Sequence, residues 1–224
     1  MMKYIIHKTE AKPSFAGEWD SPIWRQAETL QVEHFHPQSS NHHPQTQAKV
    51  LYDDNNLYVL FRVDDQYVRA VHTGYQELVC QDSCVEFFVQ PDPHKGYLNF
   101  EINCIGTMLL YYIEDATRTA DGFEKYTSVP KELTQNMTMF HSIPGPITEE
   151  ITTPMTWYLE YNIPFALLEA YLVPLHQAAG TTWRGNFFKC ADHCSHPHWV
   201  SWSPIGEALN FHQPKYFGIL EFGL

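Results

Sequence analysis

Apolar and polar residues alternate with a period of two along most of this chain, the pattern of strands packed on one face. The alternation predicts strands over residues 48–52 and 57–63, joined by the polar turn Asp53-Asp54-Asn55-Asn56, whose side chains suit local bonding to the backbone. Further strands are predicted over 84–89, 97–103 and 107–113, the first ended by Pro91 and Pro93 and the last two separated by Gly106. These read as a meander of antiparallel strands. Residues 157–163, 184–191 and 216–222 continue the pattern, with a short strand near 199–202. Between 115 and 153 many Thr, Pro and acidic residues interrupt it, which predicts loop with a short strand near 137–141. One helix is predicted, over 165–171 behind Pro164, because proline at a first turn lacks only a donor that would have no helical partner anyway. The expected architecture is all-β: an antiparallel β-sandwich with one short helix, and one domain spanning 1–224. A chain of this length buries about 70% of its unfolded surface, so it needs no disulfide or metal to hold it together.

Charge narrows the partners. Fourteen Lys and Arg stand against 26 Asp and Glu, a net charge of −12. Such a surface repels nucleic acid phosphates and anionic lipid, and neutral glycans suit it. No apolar run approaches the roughly 18 residues of a membrane span. The apolar run at the N-terminus is too short for a signal peptide, so the chain as given reads as cytoplasmic, or as secreted if a signal was trimmed. Five cysteines are an odd number, which argues against a complete disulfide framework. No G-x-S-x-G, phosphate-binding loop, G-x-G-x-x-G or H-E-x-x-H is present.

Four motifs occur in order. Gly17-Glu18-Trp19-Asp20-Ser21-Pro22-Ile23-Trp24 opens the series, and Ala48-Lys49-Val50-Leu51-Tyr52-Asp53-Asp54-Asn55-Asn56-Leu57-Tyr58-Val59 follows. Asp82-Ser83-Cys84-Val85-Glu86-Phe87-Phe88 and Phe211-His212-Gln213-Pro214-Lys215-Tyr216-Phe217-Gly218 complete it. Together they resemble family 9 carbohydrate-binding modules from about Pro13 to Phe222, and most of all the stand-alone, family 9-like subgroup. The resemblance implies a β-sandwich, a sugar-binding cleft, a non-catalytic role accessory to glycan breakdown, and often bound calcium. Classical members of that family hold a terminal sugar between two tryptophans. Here the second falls at Phe211 and the first at or near Cys80. A sugar-binding arginine falls at Glu101, while Glu86 is kept.

Strand alternation places Asn99, Glu101 and Asn103 on one face and Phe100, Ile102 and Cys104 on the other. Glu86 lies opposite Val85 and Phe87 in the same way. If the two strands are neighbours, Glu86, Asn99, Glu101 and Asn103 form a polar patch able to pair with sugar hydroxyls. Phe211 and Tyr97 are candidates for the ring that packs on a sugar's C–H face, and Arg184, Lys189 and His212 for further donors. Trp157, Trp183, Trp199 and Trp202 are expected in the core. Two alternatives stay open: a glycosidase using Glu86 and Glu101 as its acid pair, and a sandwich that binds a protein partner without a sugar.

Three metal readings carry less. Cys190, His193, Cys194, His196 and His198 have loose zinc spacing, as do Cys80 and Cys84. Asp53, Asp54, Asp64 and Asp65 lie near strand ends and could offer oxygens to calcium. Met137, Met139 and His141 could be imagined as haem ligands. Turn chemistry and incidental histidines explain these groups better than zinc, calcium or haem ligation does, and no metal site is assigned on them.

Overall fold

The computed structural model describes residues 2–224 apart from 121, 173, 176 and 177. In chain order the strands are β1 (Lys3–Lys8), β2 (Leu30–Val32), β3 (His34–Phe35), β4 (Gln45–Tyr52), β5 (Asn56–Asp65), β6 (Val68–Ala70), β7 (Cys84–Gln90) and β8 (Tyr97–Asn103). They continue as β9 (Met108–Thr119), β10 (Gly122–Ser128), β11 (Met139–His141), β12 (Ile147–Ile151), β13 (Met155–Pro164), β14 (Thr182–Cys190), β15 (Trp199–Ser201) and β16 (Gly218–Phe222). The one α-helix among the described residues is α1 (Phe165–Glu169), capped by Pro164.

Strand pairing runs β10-β9-β8-β7-β14-β16-β1 and on through β1-β4-β5-β13-β11. β1 belongs to both halves. Its first four residues pair in parallel with β16, from Lys3 beside Ile219 to Ile6 beside Phe222. His7 and Lys8 then pair in parallel with Leu51 and Tyr52 of β4. The path thereby turns into two sheets that face each other. Phe87 and Phe187 stack at 4.4 Å on the first sheet. Phe187 meets Phe61 of the second at 6.1 Å, and Phe100 meets Tyr161 at 6.5 Å. All five are buried, and each contributes about 1.5–3 kcal/mol by leaving water.

The expected hairpin of β4 and β5 forms, with Asp53 accepting the backbone N–H of Asn55 and Asn56. The expected meander divides: β4 and β5 lie in one sheet, β7, β8 and β9 in the other. The stretch 115–153 is more ordered than its composition suggests, since it holds the end of β9, all of β10 and β12. The β9–β10 hairpin is exposed on both faces over most of its length, so no alternation marks it. β1 also escapes the pattern, because a short strand paired in parallel on both sides carries no hairpin signal.

The outer face of the second sheet is closed by Trp24, whose indole N–H donates to buried Glu160 on β13 (3.1 Å). Gly17 N–H donates to the same carboxylate (2.8 Å), which ties down the first motif. The outer face of the first sheet is only partly closed. Phe88, Tyr97, Ile113, Phe188 and Phe217 form a separate apolar cluster at one end. Gly106 turns β8 into β9 with φ +83°, a left-handed conformation that favours glycine. The gap beside the cluster is the site described next.

Candidate ligand-binding site

β7 pairs with β8 on one side and with β14 on the other, all antiparallel. Glu86 stands directly across from Glu101, and Cys190 directly across from Cys84. These side chains leave the sheet on its outer face, since their neighbours Phe87, Phe100 and Phe187 occupy the inner one. Glu86, Asn99, Glu101 and Cys190 floor a cavity of about 420 Å³. Tyr111 and Arg118 of β9 and Phe123 of β10 form one wall. Cys80, Asp192, Trp199 and Phe211 form the others. The Phe211 ring is held by stacking on Phe188 at 4.2 Å and 13°.

The floor is acidic but largely uncharged. Burial, and then the nearby Glu101, push the Glu86 carboxyl well above the usual range. Glu86 accepts the Cys190 thiol at 3.2 Å. Burial also raises Glu101, up to about 7, against the opposing pull of Asn99 and Arg118. Asn99 Nδ2 donates to Glu101 at 2.7 Å and its Oδ1 accepts the Tyr111 N–H at 2.6 Å, so Asn99 is committed to orienting the floor. Burial raises Asp192 too, though it accepts the Trp199 indole N–H at 2.7 Å. Burial and Arg118 hold His212 well below the ordinary histidine value. Its neutral ring lies with Nδ1 2.9 Å from the Tyr97 hydroxyl and Nε2 3.7 Å from Glu101. Two carboxyls that burial holds toward their protonated forms and a neutral imidazole offer donors and acceptors together, as a polyhydroxylated ligand requires.

Of the nine residues proposed from sequence, Glu86, Asn99, Glu101, Phe211 and His212 line the cavity. Tyr97 stands behind His212 and positions it. Three are placed elsewhere. Asn103 is fully buried, with Nδ2 donating to His72 O and Asp82 Oδ2 and Oδ1 accepting Thr107 N–H, so it builds the turn. Arg184 donates to the carbonyls of Lys215 and Phe217, which fastens the segment before β16. Lys189 points to the opposite face, because it is one residue out of phase with Cys190 and Phe188, and ends between the sheets beside Asp65. Arg118, Tyr111, Phe123 and Asp192 were not foreseen, and Trp199 lines the cavity instead of filling the core. Trp199 is only partly buried, and a lone sequence position does not reveal that.

The metal groups suggested by spacing do not assemble. Asp53 serves its turn, Asp54 pairs with Lys8, Asp64 with Arg62 and Asp65 with Lys189; β5 separates the first two from the last two. His198 lies 2.7 Å from Lys189 Nζ, His196 stacks on Tyr67 at 3.7 Å, and the Cys194 thiol donates to Ala191 O. The His141 ring engages Ile143 O, while Met137 and Met139 pack against the core.

The sequence profile described as carbohydrate-binding family 9 matches residues 23–222. The chain belongs to that family. The match takes in both sheets apart from β1, and every cavity element from Leu78 to His212. No curated protein sequence matches the chain. Among solved structures, a candidate carbohydrate-binding protein from Bacteroides uniformis ATCC 8492 is 29% identical, with a TM-score of 0.84 over 98% of each chain. A family 9 module from Caldicellulosiruptor kristjanssonii in complex with cellotriose shares the fold at 16% identity, TM-score 0.64, covering 99% of this chain and 94% of that one. The glucose complex of a family 9 module from the same organism gives 17%, 0.61, and 98% and 96%. This family 9 chain is thus a β-sandwich of the carbohydrate-binding kind, with its cavity on the outer face of the first sheet.

Proposed function

We propose that this family 9 protein binds a neutral carbohydrate in the cavity over Glu86 and Glu101 and does not turn it over. One observation carries the reading: a buried polar floor of opposed carboxyl groups lies beneath aromatic walls. Glu86 and Glu101 pair with hydroxyl groups, while Phe211 or Trp199 takes the apolar face of a sugar ring. Arg118 at the rim adds a donor. A volume of about 420 Å³ lies toward the lower end of ligand-sized cavities and suits one or two sugar rings. The likeness to modules bound to cellotriose and glucose makes gluco-configured sugars the first to test.

The carboxyl pair does not favour hydrolysis. A glycosidase places its two carboxyl groups on either side of the scissile bond. Glu86 and Glu101 rise side by side from adjacent strands, so both meet a ligand from below. An accessory role in glycan breakdown follows naturally for a binder without its own chemistry.

Isothermal titration with glucose, cellobiose and cellotriose, with and without calcium, tests the reading. Saturable binding that Glu101→Ala weakens and Asn103→Ala leaves in place supports it. Heat released with no change on Glu101→Ala and Phe211→Ala would move the sugar elsewhere. Turnover of an aryl glycoside lost in Glu86→Gln would replace it with an enzyme.

A further inference from the structure

The floor of the cavity contains a donor set that shares only Glu86 with the sugar reading. Cys84 and Glu86 sit two residues apart on β7 and so project to the same side. Cys190 on β14 stands directly across from Cys84. The two thiol sulfurs and a Glu86 carboxylate oxygen all lie within 4.8 Å of one another, and Cys190 Sγ is 3.2 Å from Glu86 Oε1. All three residues are buried, yet Glu86 and Cys190 border the cavity, which supplies a route of entry. Both cysteines are free thiols.

We propose that Cys84, Glu86 and Cys190 form a binding site for a zinc-class divalent cation, with its fourth position open to the cavity. Two sulfurs and one oxygen match the ligand chemistry of zinc, and three protein ligands with one open position are the pattern of sites that accept water or a ligand atom. Tetrahedral thiolate ligation holds sulfurs about 3.8 Å apart, from Zn–S bonds of about 2.3 Å. The triad therefore needs to close by an ångström or less, which side-chain rotation alone can supply. On binding, the two thiols and the Glu86 carboxyl give their protons to solvent, and each sulfur and a carboxylate oxygen donates an electron pair, with no change of oxidation state. Cys190 gives up its hydrogen bond to Glu86, and both become ligands. The site stands on the placement of the thiols and does not depend on the sugar reading.

The test uses the whole protein, reduced and stripped with a chelator, and titrates it with Co²⁺ alone. One equivalent should produce a sulfur-to-metal charge-transfer band, which one equivalent of Zn²⁺ bleaches. Cys84→Ser and Cys190→Ser should each cut the band by half or more and weaken binding at least tenfold. Glu86→Gln should weaken binding about tenfold and retain the band. Cys104→Ala, in the core between the sheets, and Cys194→Ala should leave it unchanged. Metal-free melting midpoints identify any variant that fails to fold, in which case Glu86→Gln and the two outlying cysteines decide. No band at one equivalent overturns the site, as does a band that survives Cys84→Ser and disappears in Cys194→Ala. Titrating sugar into stripped and loaded protein is read separately, so either proposal can fail alone.

Discussion

The Lys189 ammonium lies 3.4 Å from Asp65 Oδ2 between the two sheets, with 0% and 1% of the respective side chains exposed. Each charge is fully engaged. Asp65 also takes His42 at 2.9 Å and the Trp157 indole N–H at 3.2 Å. Lys189 donates to Cys190 O at 3.0 Å. Burial alone would raise Asp65, but Lys189 and His42 outweigh it and hold the carboxyl well below the usual range.

Removing one partner strands the other in a medium that solvates charge poorly. Lys189→Met should cost about 3–5 kcal/mol, read as a lower urea midpoint at unchanged slope. The double change Lys189→Met with Asp65→Leu should recover part of that loss. If Lys189→Met costs under about 1 kcal/mol, water reaches the pair and the interior assignment of Lys189 fails.

His198 is fully buried against the same ammonium. Burial first, and Lys189 second, bring its pKa down to about 3. The unfolded chain takes up this proton near pH 6.5 and the folded one only near 3, so the unfolded state binds more protons between those values. His198 therefore withdraws stability as pH falls through that window, by up to about 1.4 kcal/mol per unit. Relative to the wild type, His198→Gln should lose less stability between pH 6.5 and 4, measured by urea unfolding at each pH. Parallel curves would show that His198 does not titrate with folding.

Affinity and stability should separate within the polar set. Phe211→Ala and Glu101→Ala should each weaken sugar binding by about 1–3 kcal/mol. Asn103→Ala breaks the Asp82 and Thr107 bonds of the turn instead and should cost about 1–3 kcal/mol of stability, with affinity within twofold. Calorimetry and denaturation on the same three variants check both.

Arg118 is exposed and lies 4.2 Å over the Phe123 ring at the cavity rim. Arg118→Ala should reduce sugar affinity about tenfold and leave stability within about 0.5 kcal/mol. An unchanged affinity would limit Arg118 to its contact with Phe123.

The sandwich was legible because its core strands obey the two-residue period, from 48–52 through 216–222. The carboxyl pair was legible for the same reason, since alternation put Glu86 and Glu101 outward, and only their register required the structure. Lys189 was misplaced because it was grouped by chemistry, against the phase that its neighbours Phe188 and Cys190 already set. Arg118 and Phe123 were missed because their hairpin is wetted on both faces. Cys84 and Cys190 are 106 positions apart in sequence, and only the pairing of β7 with β14 brings them together.

β8 is buried along both faces, so hydrophobicity alone does not tell its sides apart. Asn99, Glu101 and Asn103 do. A slip of one residue against β7 would drive Glu101 in among Phe87 and Phe187 and leave Phe100 over the cavity, exchanging every side chain at once. The polar residues that floor the site therefore also proofread the assembly of the sheet, and a chain made apolar at all three would fold into a mixture of registers.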